Sequence, residues 1–157
     1  MSYEIVEQVD SFADVLQKIA DLGADGGKTG IIVFGPESSL KDVIYDRILL
    51  NSGRIFGKEV QRQEHSNTWS RIELVQVESG IIVKLNGDAS IAYGERHRIV
   101  LGLKNSGMDH IVGIYVKGDR SRESFTEERP SITKRPPTAD GLTFLVTIST
   151  TNPSPLT

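Results

Sequence analysis

The 157-residue chain contains no cysteine, so it can form neither a disulfide nor a thiolate metal site. Imidazoles are scarce as well. His65, His97 and His110 stand far apart with no His-x-x-x-His spacing, which argues against a metal centre. The Gly-x-Ser-x-Gly elbow of serine hydrolases is missing, and no catalytic set is assigned. No apolar run approaches the roughly 20 residues that a membrane-spanning helix requires; Ile31 to Phe34 is typical of the runs present. Met1-Ser2-Tyr3-Glu4 shows neither the basic nor the apolar region of a secretion signal. A formal charge of −3 gives no general attraction for nucleic acid or anionic lipid, so such binding would need a local basic patch. Together these absences lead us to expect a soluble protein of the cytoplasm or a virion, with no cofactor, no metal and no membrane association, and non-enzymatic rather than enzymatic.

What is present reads as an α/β domain. Tyr3 to Val9 has the mixed apolar and acidic pattern of a short edge strand. Ser11 and Asp14 form a capping-box pattern, and Phe12, Val15, Leu16, Ile19 and Leu22 recur at helical spacing before Gly23. Ile31 to Phe34 is apolar on both faces, as a strand at the centre of a covered sheet must be. Leu40, Val43, Ile44 and Ile48 then line one side of a helix capped by Ser39 and Asp42, with Gly53 as its expected stop.

Two glycine-rich turns flank that central strand. Gly26-Gly27-Lys28-Thr29 contains the Gly-Lys-Thr of a nucleotide loop, but Gly23 and Gly27 enclose one residue too few and the order is helix, loop, strand. It reads as a connection, because a preceding helix would turn its negative end toward an anion. Gly35-Pro36-Glu37-Ser38-Ser39 has the right order, strand into helix, and resembles the start of the phosphate loop of the RecA-type recombinases. The resemblance implies phosphate contacts at Gly35, Ser38, Ser39 and Lys41, the last standing where the phosphate-binding lysine would be. Leu40 replaces the second required glycine and Asp42 the hydroxyl that would hold magnesium, so the turn is expected to serve chiefly as a helix cap.

Beyond Gly53 the pattern changes. Arg54 to Asn67 is polar and reads as a connecting loop, with room for a short strand at Arg54 to Val60. Arg71 to Val77 and Ile81 to Leu85 flank Glu78-Ser79-Gly80 as a hairpin rich in β-branched residues. Ala89 to Tyr93 fits a short helix or strand, whereas Arg98 to Leu103 and His110 to Val116 read as two strands joined by Lys104 to Asp109. Gly102 and Gly113 within them suggest bulges or close approach of another backbone. On this reading residues 1–118 form a compact domain with two amphipathic helices on a mixed sheet whose later strands are antiparallel. Residues 119–157 form a charged, proline-containing flexible tail with a late strand at 142–148, which would pair with its own sheet or with another subunit.

Chemistry has few places to sit. Glu73, Glu78, Lys84 and Asp88 lie in or beside the hairpin as a magnesium nuclease would require, but strand alternation assigns such residues to a solvent face. Arg54, Lys58, Arg62 and Arg71 near Trp69, and Arg96, Arg98 and Lys104 near Tyr93, would suit nucleic acid if they shared one face, with acids interleaved among them. The expectation is therefore a non-catalytic binding or assembly accessory protein, of viral or mobile-element type, that works through its sheet and tail with a protein partner or as a homo-oligomer. The alternatives are a nucleic-acid-binding module and a degenerate phosphate-binding domain.

Overall fold

The computed structural model describes residues 7–9, 12–35, 39–66, 70–87, 89–116, 131–135 and 142–149. In chain order these form β1 (Glu7–Val9), α1 (Phe12–Leu22), a 3-10 turn (Gly23–Asp25), β2 (Thr29–Phe34), α2 (Ser39–Phe56), β3 (Glu59–Ser66), β4 (Ser70–Val77), β5 (Gly80–Gly87), α3 (Ala89–Asn105), β6 (His110–Val116), β7 (Ser131–Arg135) and β8 (Phe144–Ser149). The strands make one sheet in the order β1-β7-β8-β6-β2-β5-β4-β3. Its middle, β8-β6-β2-β5, is parallel. Both margins, β7 with β1 and β4 with β3, are antiparallel. The fold is thus α/β with a mixed sheet, as the sequence pattern implies.

Every residue of β2 is buried, which is why its sequence is apolar without alternation. Its odd-numbered side chains, Ile31 and Val33, face one core with Phe12, Val15 and Ile19 of α1 and Ile44, Ile48 and Phe56 of α2. Its even-numbered ones, Ile32 and Phe34, face a second core with Val100 and Leu103 of α3. Helices therefore cover both faces of the sheet.

Several local expectations fail for identifiable reasons. Arg98 to Leu103 is helical, not a strand. Val100 and Leu103 are buried while Leu101 is 49% exposed, the signature of a helix face that a short apolar run does not reveal. Because α3 supplies a crossover, β6 returns parallel to β2 rather than antiparallel to a preceding strand. Gly102 accordingly marks no bulge and has open space around it, whereas at Gly113 a Cβ would crowd Leu142 Cδ1 at 2.8 Å, so the close neighbour is a side chain.

Helix α2 runs past Gly53 to Phe56, whose buried ring anchors the last turn, and stops where Gly57 takes φ 94°. The expected loop over Arg54 to Asn67 is instead the end of α2 and strand β3, a polar edge strand without the apolar alternation that betrays most strands. The late strand pairs within its own chain, β8 lying parallel to β6. Of the expected flexible tail, β7 and β8 belong to the sheet, Leu142 and Thr143 pack against it just before β8, and the remainder lies outside the described residues.

Candidate functional site at the carboxyl ends of the parallel strands

In a parallel sheet the strands present their carboxyl ends together, and ligands bind there in the crevice where the strand order reverses. In the order β8-β6-β2-β5 that reversal falls between β2 and β6; α2 leaves β2 toward one face and α3 leaves β5 toward the other, and the crevice between the ends of β2 and β5 adjoins the reversal on the far side of β2. Gly35 closes β2 at φ 128°, and a side chain there would run into the carbonyl oxygen of Val116 on β6. That close approach is why glycine stands at this turn.

Lys41, in the first turn of α2, is wholly buried in this crevice. Its Nζ donates to the carbonyl oxygen of Gly35 and to that of Leu85, each at 2.9 Å, bridging the ends of β2 and β5. A buried ammonium requires such partners. Asp42 points to a second lysine: Lys84 Nζ donates to Asp42 Oδ1 at 2.9 Å, lies 3.2 Å from Glu73 Oε2 and sits 5.0 Å from the centre of the Tyr45 ring. Burial opposes the charge on Lys84, but the carboxylates of Asp42 and Glu73 outweigh it and hold its pKa above the ordinary lysine value. Burial, reinforced by Glu73, pushes the Tyr45 phenol well above its usual value. The Tyr45 hydroxyl and Asn86 Oδ1 are both buried without a hydrogen-bond partner among the described residues.

Of the phosphate candidates, the structure brings Gly35 and Lys41 together and starts α2 at Ser39, while Ser38 lies outside the described residues. Thr29 of the other glycine-rich turn opens β2 at its amino end, away from the crevice. There the loop is tied down: Asp109 Oδ2 accepts the Lys28 N–H at 3.0 Å, and His110 Nε2 lies 3.0 Å from Asp25 Oδ2. The Gly27 N–H, and after it His110, hold the Asp25 carboxyl below its usual pKa.

The cations are divided. Arg54 in the last turn of α2, Arg62 on β3 and Arg71 on β4 belong with the α2 side, whereas Arg98 and Lys104 ride on α3 over the opposite face. Tyr93 and Arg96 are also on α3, Lys58 lies in the turn between α2 and β3, and Trp69 is outside the described residues. Arg54 Nη2 donates to Asn51 Oδ1 at 3.3 Å and Arg62 Nε to Glu59 Oε2 at 2.9 Å.

The hairpin residues also differ from expectation. Lys84 is buried rather than solvated, and Glu78 accepts the Lys58 N–H at 2.7 Å to close a turn. The signal for Lys84 is in the sequence, since a lysine within Ile81-Ile82-Val83-Lys84-Leu85 needs a carboxylate from elsewhere in the fold. Nothing in the sequence, however, points to Asp42 as the acceptor. Among the described residues no cluster of three or more histidine and acidic groups could hold a metal, and no helix is long and apolar enough to cross a membrane. Compared with protein-family models, with curated proteins and with solved structures, the chain matches none of them.

Proposed function

We propose that the protein is a non-catalytic binding or assembly domain built on a strand, turn and helix of phosphate-loop type. One observation carries this reading. Lys41, the residue a phosphate would require, has its ammonium engaged by the carbonyls of Gly35 and Leu85, and the adjacent Asp42 is drawn into an ion pair with Lys84. A lysine serving as a backbone clamp is withdrawn from an incoming anion, and the carboxylate at Asp42 repels one. The proposed partner is a protein, either foreign or a second copy. A viral or mobile-element accessory role remains part of the proposal through the charged tail alone.

The second reading, a degenerate phosphate site, is favoured by the retained order of β2, turn and α2 beside the switch point of the sheet. A nucleic-acid role is less well supported, because the candidate cations are split between opposite faces.

Thermal melting with and without magnesium ATP or GTP tests the assignment. We expect no change in midpoint at millimolar nucleotide. A rise of several degrees that is lost in Lys41→Ala would overturn the non-catalytic reading in favour of the phosphate site.

A further inference from the structure

The two margins of the sheet are unequal. β1 offers three residues, a length that itself discourages pairing, whereas β3 offers eight, Glu59–Ser66, with β4 on one side and no strand of the described chain on the other. Exposed edges are usually blunted by charged side chains, lysine above all, by proline or by a bulge. β3 contains neither proline nor lysine, and its single irregularity, between Glu59 and Gln61, leaves Gln61 to Ser66 in regular register with β4.

The charges along this edge are arranged for a specific partner. Arg62 lies opposite Val75, and Glu64 opposite Glu73, so both project on the α2 side of the sheet. Glu64 and Glu73 are like charges placed directly across from each other, an arrangement that destabilises a pair of strands. Lys84 neutralises Glu73, but Glu64 has no ion-pair partner among the described residues. Arg62, for its part, pairs with the exposed Glu59, a contact of small worth that it can exchange. Arg62, Gln63 and Glu64 line a shallow groove with Glu73, Leu74 and Val75.

We propose that β3 is a self-pairing edge: a second copy of this chain adds its own β3 antiparallel to it, about a two-fold axis passing through Gln63. This rests on the assembly reading and specifies the partner. A two-fold axis perpendicular to the sheet keeps each face on its own side, so residues directly opposite must share a face and the axis must pass through a residue. Centred on Arg62, it would set Arg62 against itself; centred on Glu64, it would set Glu64 against itself. Centred on Gln63, it sets Arg62 opposite Glu64 twice, Gln61 opposite His65 and Val60 opposite Ser66. That register supplies the missing cation for Glu64 and leaves no like charges opposed across the new junction. It also gives Val60, 59% exposed at the end of the strand, a neighbouring chain.

Sedimentation velocity on the full chain, together with cysteine cross-linking, tests the proposal. The wild type is expected to form a concentration-dependent dimer. Arg62→Glu should weaken it by about tenfold or more, and adding Glu64→Arg to that variant should restore it. Because the chain has no cysteine, Gln63→Cys introduces the sole thiol. With oxidised glutathione it should give a disulfide-linked dimer, since directly opposed Cβ atoms lie about 4.5–5.5 Å apart. Gln61→Cys should not, as the two copies of that position would be about 13 Å apart along the strands. A wild-type dimer that ignores Arg62→Glu and cross-links as readily through Gln61→Cys overturns the edge proposal while leaving assembly intact. A wild-type monomer throughout the micromolar range also overturns it, and if magnesium nucleotide stabilises that monomer through Lys41 the assembly reading falls as well.

Discussion

The crevice at the ends of β2 and β5 and the edge along β3 treat backbone polar groups in opposite ways. In the crevice two carbonyls at strand ends are taken by one buried ammonium, that of Lys41. Along β3 the outward groups of an eight-residue strand have no neighbouring strand within the described chain. A region that satisfies itself internally has little left to offer a ligand, whereas an edge is incomplete by construction. The contrast shifts attention from the turn that resembles a phosphate loop to a polar strand that resembles a connecting loop.

The largest expected effect breaks the crevice. Lys41→Met keeps the apolar stem but strands the Gly35 and Leu85 carbonyls, and should cost roughly 2–4 kcal/mol in urea unfolding. For a chain of this length that is a fall of about 5–15 °C in melting temperature. Arg62→Glu on the edge should change the stability of the monomer by no more than about 0.5 kcal/mol, because its side chain is largely exposed and its ion pair is with the exposed Glu59. Equal losses in the two variants would erase the distinction drawn between the two regions.

Lys84 links them, since it holds Asp42 beside the crevice and Glu73 beside the edge. Lys84→Met should cost about 1–2 kcal/mol by releasing both carboxylates. The pH dependence gives a sharper check. The folded pKa of Lys84 is raised, so its contribution is fully present below the ordinary lysine value of about 10.4 and is lost as pH climbs through the higher folded value. Urea midpoints measured from pH 9 upward should therefore fall more steeply for the wild type than for Lys84→Met. Parallel curves would remove Lys84 as the link.

The smallest effect concerns the Tyr45 hydroxyl, which is buried beside Lys84 without a hydrogen-bond partner among the described residues. Tyr45→Phe should be neutral or stabilising by up to about 1 kcal/mol, because it removes a polar atom that gains nothing from burial. A loss of stability would mean that this hydroxyl is satisfied in solution and that the crevice side is less self-contained than its carbonyls suggest.

Much of the fold is legible where burial is one-sided or complete. Helix α1, the central strand and the β4–β5 hairpin follow from helical spacing, a continuous apolar run and β-branched alternation. Besides β7, which lies within the charged segment read as a tail, two elements escape for opposite reasons. β3 is polar along its length because an edge strand needs only backbone pairing with β4, so hydrophobic periodicity carries no trace of it. α3 has a face only partly apolar, and the fragment Arg98 to Leu103 is too short for its period to separate helix from strand. At the candidate site, the departures at Leu40 and Asp42 are visible in the chain and already argue against a working phosphate loop. The fate of Lys41 is not visible, since both of its carbonyl partners are set by how β2 and β5 align.

The amino-acid sequence by itself determined that this is an α/β chain without disulfides, thiolate metal sites or a complete nucleotide loop, because those depend on residue types and short spacings. Only the tertiary structure decided that Lys41 clamps two strand ends, that Lys84 is buried between Asp42 and Glu73, and that β3 lies at the margin of the sheet. Each of those facts joins residues remote in the chain. Strand order and register bring them together, and no local pattern encodes either one.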